Sequence, residues 1–210
     1  SLETGKKVVI STNTKNLQSQ LFDKDIPFIR DNLSLPLHAA LLKGRSNYLC
    51  LRKFFQVLRH PESDLAGEDD VHAVLCLLVW LGMTHSGDVS ENSGFMNSPG
   101  MMRIQELVCS SSDDCANHEC SLKKPCFLHR ARNSAQGADI IIVNHALLLS
   151  AGPGDDSILP EHCSVVLDEA HNLEDVATRA YSARCGKAEL FRLTSPLKHR
   201  VLHSARIGGI

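Results

Sequence analysis

Ser164-Val165-Val166-Leu167-Asp168-Glu169-Ala170-His171 is the stretch on which the reading of the fold turns. Its β-branched apolar run lacks the alternation of a half-solvated strand, and so predicts a strand covered on both faces, as in a parallel sheet. The run ends in two adjacent carboxylates, at the edge where α/β sheets bind ligands. Working outward, Asp139-Ile140-Ile141-Ile142-Val143 predicts a second such strand and Val8-Val9-Ile10-Ser11-Thr12 a third. A helix is expected after the last of these. Leu17, Leu21, Phe22 and Ile26 give its apolar stripe, Asn13 or Thr14 its N-cap, and Pro27 lies near its end. The fold class is therefore α/β, with the sheet built from the two ends of the chain.

Residues 37–136 hold no comparable strand and read as a helical, loop-rich insertion. Glu68-Asp69-Asp70 opens a helix with acids at its positive end, and Val71, Val74, Leu75, Leu78 and Val79 continue it to Leu81 as a buried core segment. Residues 82–100 are rich in Ser, Asn and Gly, the composition of a mobile loop.

Composition narrows the function classes. With 43% hydrophobic and 22% charged residues, the 210-residue chain is expected to fold. Its longest apolar stretches fall far short of the roughly 20 residues a membrane-spanning helix needs. There is no signal-peptide core and no initiator Met, which leads to the expectation of a cytoplasmic protein or an excerpt of one. A net charge of −2 gives no global attraction to nucleic acid, but the charge is segregated. Residues 41–60 carry Lys43, Arg45, Arg52, Lys53 and Arg59 with no acid, whereas residues 61–100 hold seven acids and no Lys or Arg. Such a run is either a binding patch or a solvated face.

Two constellations carry chemistry. Asp168 and Glu169 suit a hydrated Mg²⁺ and an attacking water respectively, since Mg²⁺ takes one or two carboxylates beside phosphate oxygens. Of the eight cysteines, Cys76, Cys163 and Cys185 read as small core or surface residues, while Cys109, Cys115, Cys120 and Cys126 crowd into eighteen residues. No CxxC pair occurs, so a zinc site would have to recruit His118 or His129, whereas an iron–sulfur cluster tolerates irregular spacing. The residues by themselves leave cluster, zinc and reduced thiols open.

An ordered set of motifs resembles the XPD/DinG helicases, the superfamily 2 DNA helicases with an iron–sulfur domain. Residues 8–18 resemble their motif Ia, and Lys43-Gly44-Arg45-Ser46-Asn47-Tyr48-Leu49-Cys50 resembles the segment bearing the first cluster cysteine. Trp80-x3-Thr84-x2-Gly87-Asp88, then Cys115, Cys120, Cys126-Phe127, Ala131-Arg132, residues 138–148 and Asp168-Glu169-Ala170-His171-Asn172-Leu173-Glu174 follow in the family's order. The resemblance implies a partial RecA-like parallel sheet of a P-loop NTPase motor domain, interrupted by a mostly helical iron–sulfur domain. Its parts would be residues 1–36 (motif Ia), 37–136 (cluster domain), 137–180 (DEAH box) and 181–210, the start of a further helical, arch-like insertion.

It also implies ATP-driven translocation on single-stranded DNA and duplex unwinding, in a DNA-repair setting. Asp168, Glu169 and His171 would be catalytic, His171 coupling nucleotide state to DNA. Cys50, Cys115, Cys120 and Cys126 would hold a 4Fe-4S cluster, with Cys109 left as a packing residue. Ser11, Thr12, Thr14, Arg45, Tyr48, Arg52, Lys53, Arg130 and Arg132 would face DNA, with Tyr48 and Phe127 as stacking aromatics. No GxxxxGK[ST] phosphate loop occurs in the sequence. The chain is therefore expected to be an internal piece, inactive alone, with exposed sheet edges and the remainder of the helicase as partner. A different class, a non-enzymatic zinc-bearing nucleic-acid-binding module, stands beside this reading.

Overall fold

A computed structural model describes residues 6–111, 114–116, 119–151, 158–162 and 164–182. Cys163, Cys185, His118 and residues 183–210, where an arch-like insertion is expected, lie outside these. Val8–Thr12 forms β1, Ala39–Leu41 β2, Ile140–Asn144 β3 and Ser164–Leu167 β4. They make a parallel sheet in the order β2-β3-β1-β4. β1 is paired on both sides, from Val8↔Ile140 to Thr12↔Asn144 and from Val8↔Ser164 to Ser11↔Leu167. β4 is an edge strand in which Val165, Val166 and Leu167 are exposed, so the expected covering of both its faces does not hold: it pairs with β1 on one side alone among the described residues.

The fourth strand, β2, falls inside the stretch read as strandless. Ala-Ala-Leu carries no β-branched residue, so its extended form is imposed by pairing with Ile140–Ile142 on β3 rather than by propensity. His38 just before β2 and Asp139 just before β3 are pinned together: the His38 carbonyl accepts the amides of Asp139 and Ile140, and Asp139 Oδ2 accepts the His38 amide.

Thr14 caps α1 (Lys15–Gln20) by accepting the Leu17 amide. The helix does not stop near Pro27. It passes through a π turn at Leu21–Asp25 into α2 (Ile26–Leu33), where Pro27 sits in the first turn. A proline ring clashes with the carbonyl four residues back, and the wider π turn accommodates it.

The insertion contains α3 (Leu51–Arg59), α4 (Pro61–Asp64), α5 (Glu68–Leu81), α6 (Ser93–Met96), α7 (Met101–Val108) and α8 (Phe127–Gly137). Its core joins Leu49, Phe54, Leu77, Phe95, Ile104 and Phe127. A second core, under the sheet, joins Val9, Leu42, Ile141, Val143 and Leu147, and Ala131 of α8 packs against both. Lys7 closes the return, its Nζ donating to the Gln136 and Ala138 carbonyls at the C-terminal end of α8.

Two expectations fail here. α5 has the expected bounds but buries one face only: Ala73, Val74 and Leu77 are inside, whereas Val71, Leu75, Leu78 and Val79 are exposed. An unbroken apolar run cannot report which of its faces meets a partner. Residues 82–100 are not an open loop, for Asp88 caps a 3₁₀ turn at Val89–Glu91 and Asn92 caps α6 by accepting the Phe95 amide. The Ser and Asn residues that suggested mobility are largely consumed in such local bonds.

Candidate functional site

At the C-terminal edge of the sheet, the amide of Asp168 donates to the Ser11 carbonyl at 2.9 Å, extending the β1–β4 ladder by one bond. Glu169 then takes a left-handed conformation, φ 52° and ψ 44°, and the chain turns through a 3₁₀ segment at Ala170–Asn172 into α10 (Leu173–Tyr181). A non-glycine residue with positive φ is uncommon and marks a turn held by its surroundings. Here it reverses the chain so that Asp168, Glu169 and His171 are all exposed on the edge. The Asn172 amide donates back to the Glu169 carbonyl at 3.0 Å.

The neighbouring end of β1 is buried. Ser11 and Thr12 are fully inside, and Thr14 is exposed but occupied as the α1 cap. Ser11 Oγ lies 2.7 Å from Nδ1 of His145, the first residue of α9 (His145–Ser150).

The cysteines separate into two environments. Cys50 immediately precedes α3 and Cys126 immediately precedes α8. Together with Cys115 and Cys120 they line one cavity of about 110 Å³, whose wall also includes Arg52, Lys123, His129 and Arg132. The thiols of Cys50, Cys115, Cys120 and Cys126 are half-buried. Burial pushes the Cys126 thiol up, while the Leu128 and His129 amides pull it down. Cys109 follows α7, pairs with Leu49 across an antiparallel bridge, and is packed into the insertion core, where burial pushes its thiol up to about 12.

Most bases of the first patch are engaged by the protein itself. Arg52 donates to the Asp114 carbonyl, Lys53 Nζ to the Glu106 carbonyl and the Asp114 carboxylate, and Arg45 to the Ser111 carbonyl. They strap the segment before Cys115 onto α3. The Ser111 hydroxyl and Lys53 hold the Asp114 carboxyl below its usual range. Burial pulls the Arg132 guanidinium down, and Arg45 adds to this, while Cys115 and Cys126 oppose it. Arg132 Nε is buried without a hydrogen-bond partner among the described residues.

Between α1 and α8 runs a groove of about 860 Å³ lined by Lys15, Asn16, Lys43, Arg130, Asn133 and Ser134, among others. Arg130 is exposed, its guanidinium 6.0 Å from the centre of the Phe127 ring. Tyr48 and Phe127 border the groove but belong to the core, 3% and 6% exposed, so neither presents a free face for a base. Burial drives the Tyr48 hydroxyl up to about 12. Its oxygen accepts the Lys43 amide at 3.1 Å.

Sequence reasoning gave no role to His145, nor to the buried ion pair of Lys43 with Asp88. Each residue lies in a motif stretch that it had quoted, so the signal was present without the pairing.

A family model described as DEAD_2 matches residues 88–190. The ATP-dependent DNA helicase YoaA of Escherichia coli is 34% identical over 94% of the chain, which covers 31% of that protein. The 3'-5' exonuclease DinG of Bacillus subtilis is 38% identical over 88% of the chain, covering 19% of its length. The ATP-dependent helicase DinG of Mycobacterium tuberculosis is 37% identical over 87% of the chain, covering 29%. The chain thus spans from about a fifth to a third of the curated relatives it matches. A parallel sheet with DEAH at its edge, a helical insertion bearing the cysteines, and these relatives agree: residues 88–190 match the DEAD_2 family model, and the chain is similar over most of its length to part of the DinG-like helicases.

Proposed function

We propose that the chain is the part of an ATP-dependent DNA helicase motor that senses nucleotide at the Asp168-Glu169 edge and carries an iron–sulfur domain beside a single-stranded DNA path. The observation that carries the nucleotide reading is the bond from the Asp168 amide to Ser11. It seats an acidic turn at the C-terminal edge of a central parallel strand, where this class of sheet binds ligands. Mg²⁺, when bound, neutralises phosphate charge, and Asp168 would hold it through its waters. Glu169 would orient and deprotonate the attacking water, and His171 would couple nucleotide state to DNA.

Cys50, Cys115, Cys120 and Cys126 would hold a 4Fe-4S cluster. Four thiols on one cavity beside Arg132, whose buried Nε has no partner among the described residues, suit an anionic, thiolate-bound centre. The cluster, when bound, supplies a four-point tie between the start of α3 and the segment leading to α8. The groove between α1 and α8, with the exposed Lys15 and Arg130 on its walls, suits a phosphate backbone.

In the full-length protein, Glu169→Gln is expected to keep ATP binding and to lower turnover by at least about a hundredfold. Hydrolysis at the normal rate would remove the nucleotide reading.

A further inference from the structure

We propose that His145 is a positioning residue for the Asp168-Glu169 turn, acting through Ser11. The inference rests on the reading of that turn as the nucleotide edge and extends it to a residue on another strand connection.

Three observations converge. His145 opens α9 directly after β3, and Asn144 fixes that start by accepting the Leu147 amide at 2.9 Å. The imidazole is 1% exposed, and its Nδ1 lies 2.7 Å from Ser11 Oγ, itself fully buried. The Ser11 carbonyl receives the Asp168 amide at 2.9 Å. One side-chain bond and one backbone bond thus fasten the ends of β3, β1 and β4 in series at a single sheet edge.

Packing alone does not explain an imidazole there. His145 Nε2 is buried with no hydrogen-bond partner among the described residues, and an orphan polar atom is a cost that an apolar side chain would avoid. The ring is retained for what Nδ1 does. The bond matters because β4 is an exposed edge strand, and the Asp168 amide makes its last rung. Strand ends open locally more easily than strand centres, so a fixed acceptor at Ser11 decides how often the turn lets go.

The test is amide hydrogen exchange in the full-length protein, read on a peptide covering residues 164–172. His145→Ala and Ser11→Ala are each expected to speed exchange of the Asp168 amide by roughly tenfold, the worth of about one hydrogen bond. Exchange at Ile142, in the centre of β3, should stay slow. The double variant should be no faster than the faster single one. His145→Asn, whose side-chain amide reaches the Nδ1 position, should restore slow exchange, whereas His145→Gln, which reaches toward Nε2, should not. The Mg²⁺ concentration for half-maximal ATP hydrolysis should rise in His145→Ala and recover in His145→Asn. Unchanged Asp168 exchange in His145→Ala, equal acceleration at Ile142, or rescue by Gln instead of Asn would each overturn the proposal. An Asp168→Ala arm separates the two readings. If it hydrolyses ATP like the wild type, the role of the turn falls, while the exchange data still decide whether His145 holds it.

Discussion

Lys43 and Asp88, 45 residues apart in the chain, form a buried ion pair that joins the end of the sheet to the middle of the insertion. Lys43 follows β2 by two residues, and Asp88 opens the 3₁₀ turn at Val89–Glu91. Asp88 also accepts the Ser90 amide at 3.0 Å and hydroxyl at 2.7 Å, and Tyr48 pairs with it across an antiparallel bridge. Both partners are thus tied to backbone that other bonds already hold, so the pair lacks the entropic penalty of a surface bridge.

Removing one partner leaves a buried charge alone. Lys43→Met is expected to destabilise the protein by about 3–5 kcal/mol, and Asp88→Asn by a similar amount because it also weakens the Ser90 contacts. Lys43→Met with Asp88→Leu should cost less than the sum of the single changes, since no charge is then left unpaired. Denaturant unfolding of the four proteins in a double-mutant cycle measures the coupling. Additive losses would mean that the two side chains act separately.

Gly87 is irreplaceable for a reason that is visible only in three dimensions. Its φ is +69°, and a Cβ there would lie 2.0 Å from Cγ of Phe127. Its own backbone is engaged too, the Gly87 amide donating to Thr84 Oγ1 at 2.9 Å and the Gly87 carbonyl accepting the Leu49 amide at 2.9 Å. Gly87→Ala is therefore expected to cost at least about 2–3 kcal/mol, combining left-handed strain with the clash. Phe127→Ala in the same background should remove the Cγ and Cδ2 contacts and leave the strain and the Cβ contact, giving a favourable coupling energy by thermal unfolding.

These two contacts show where sequence reasoning stops. The strands at Val8 and Ile140 were legible because a buried strand writes an unbroken apolar run; residues 165–167 write the same run and do form a strand, but at an exposed sheet edge, and α5 was legible because its acids mark its start. β2 was not, since three residues of Ala-Ala-Leu carry no periodicity and take their form from β3. The Thr84, Gly87 and Asp88 positions were recognisable as a motif. Their reasons, a ring against Gly87 and an ammonium against Asp88, come from Phe127 and Lys43, some forty residues away in each direction. Tyr48 shows the converse: an aromatic beside bases reads as a stacking platform, whereas the structure places its ring in the core with its hydroxyl on the Lys43 amide. Arg52 and Lys53 likewise read as a phosphate patch, whereas their charge goes to Asp114 and to backbone carbonyls around the cysteine segment.

For the proposed cluster, the environments of Cys50 and Cys109 favour Cys50 as the fourth thiolate. Cys50 shares a cavity with Cys115, Cys120 and Cys126, whereas Cys109 is 4% exposed in an apolar cluster. Ionising Cys109 means placing charge in that core, and burial accordingly raises its thiol from 9.0 to about 12. The stability linked to this thiol is whole below pH 9 and is lost as pH rises toward 12, because the unfolded chain releases the proton first. Two measurements follow. In full-length protein purified without oxygen, serine at Cys50, Cys115, Cys120 or Cys126 should abolish visible absorbance and iron content, while Cys109→Ser should keep both. In the metal-free protein at pH 8, a maleimide should label the four cavity thiols well before Cys109, since the thiolate is the reacting form. Full iron in Cys50→Ser beside none in Cys109→Ser, or early labelling of Cys109, would reverse the assignment.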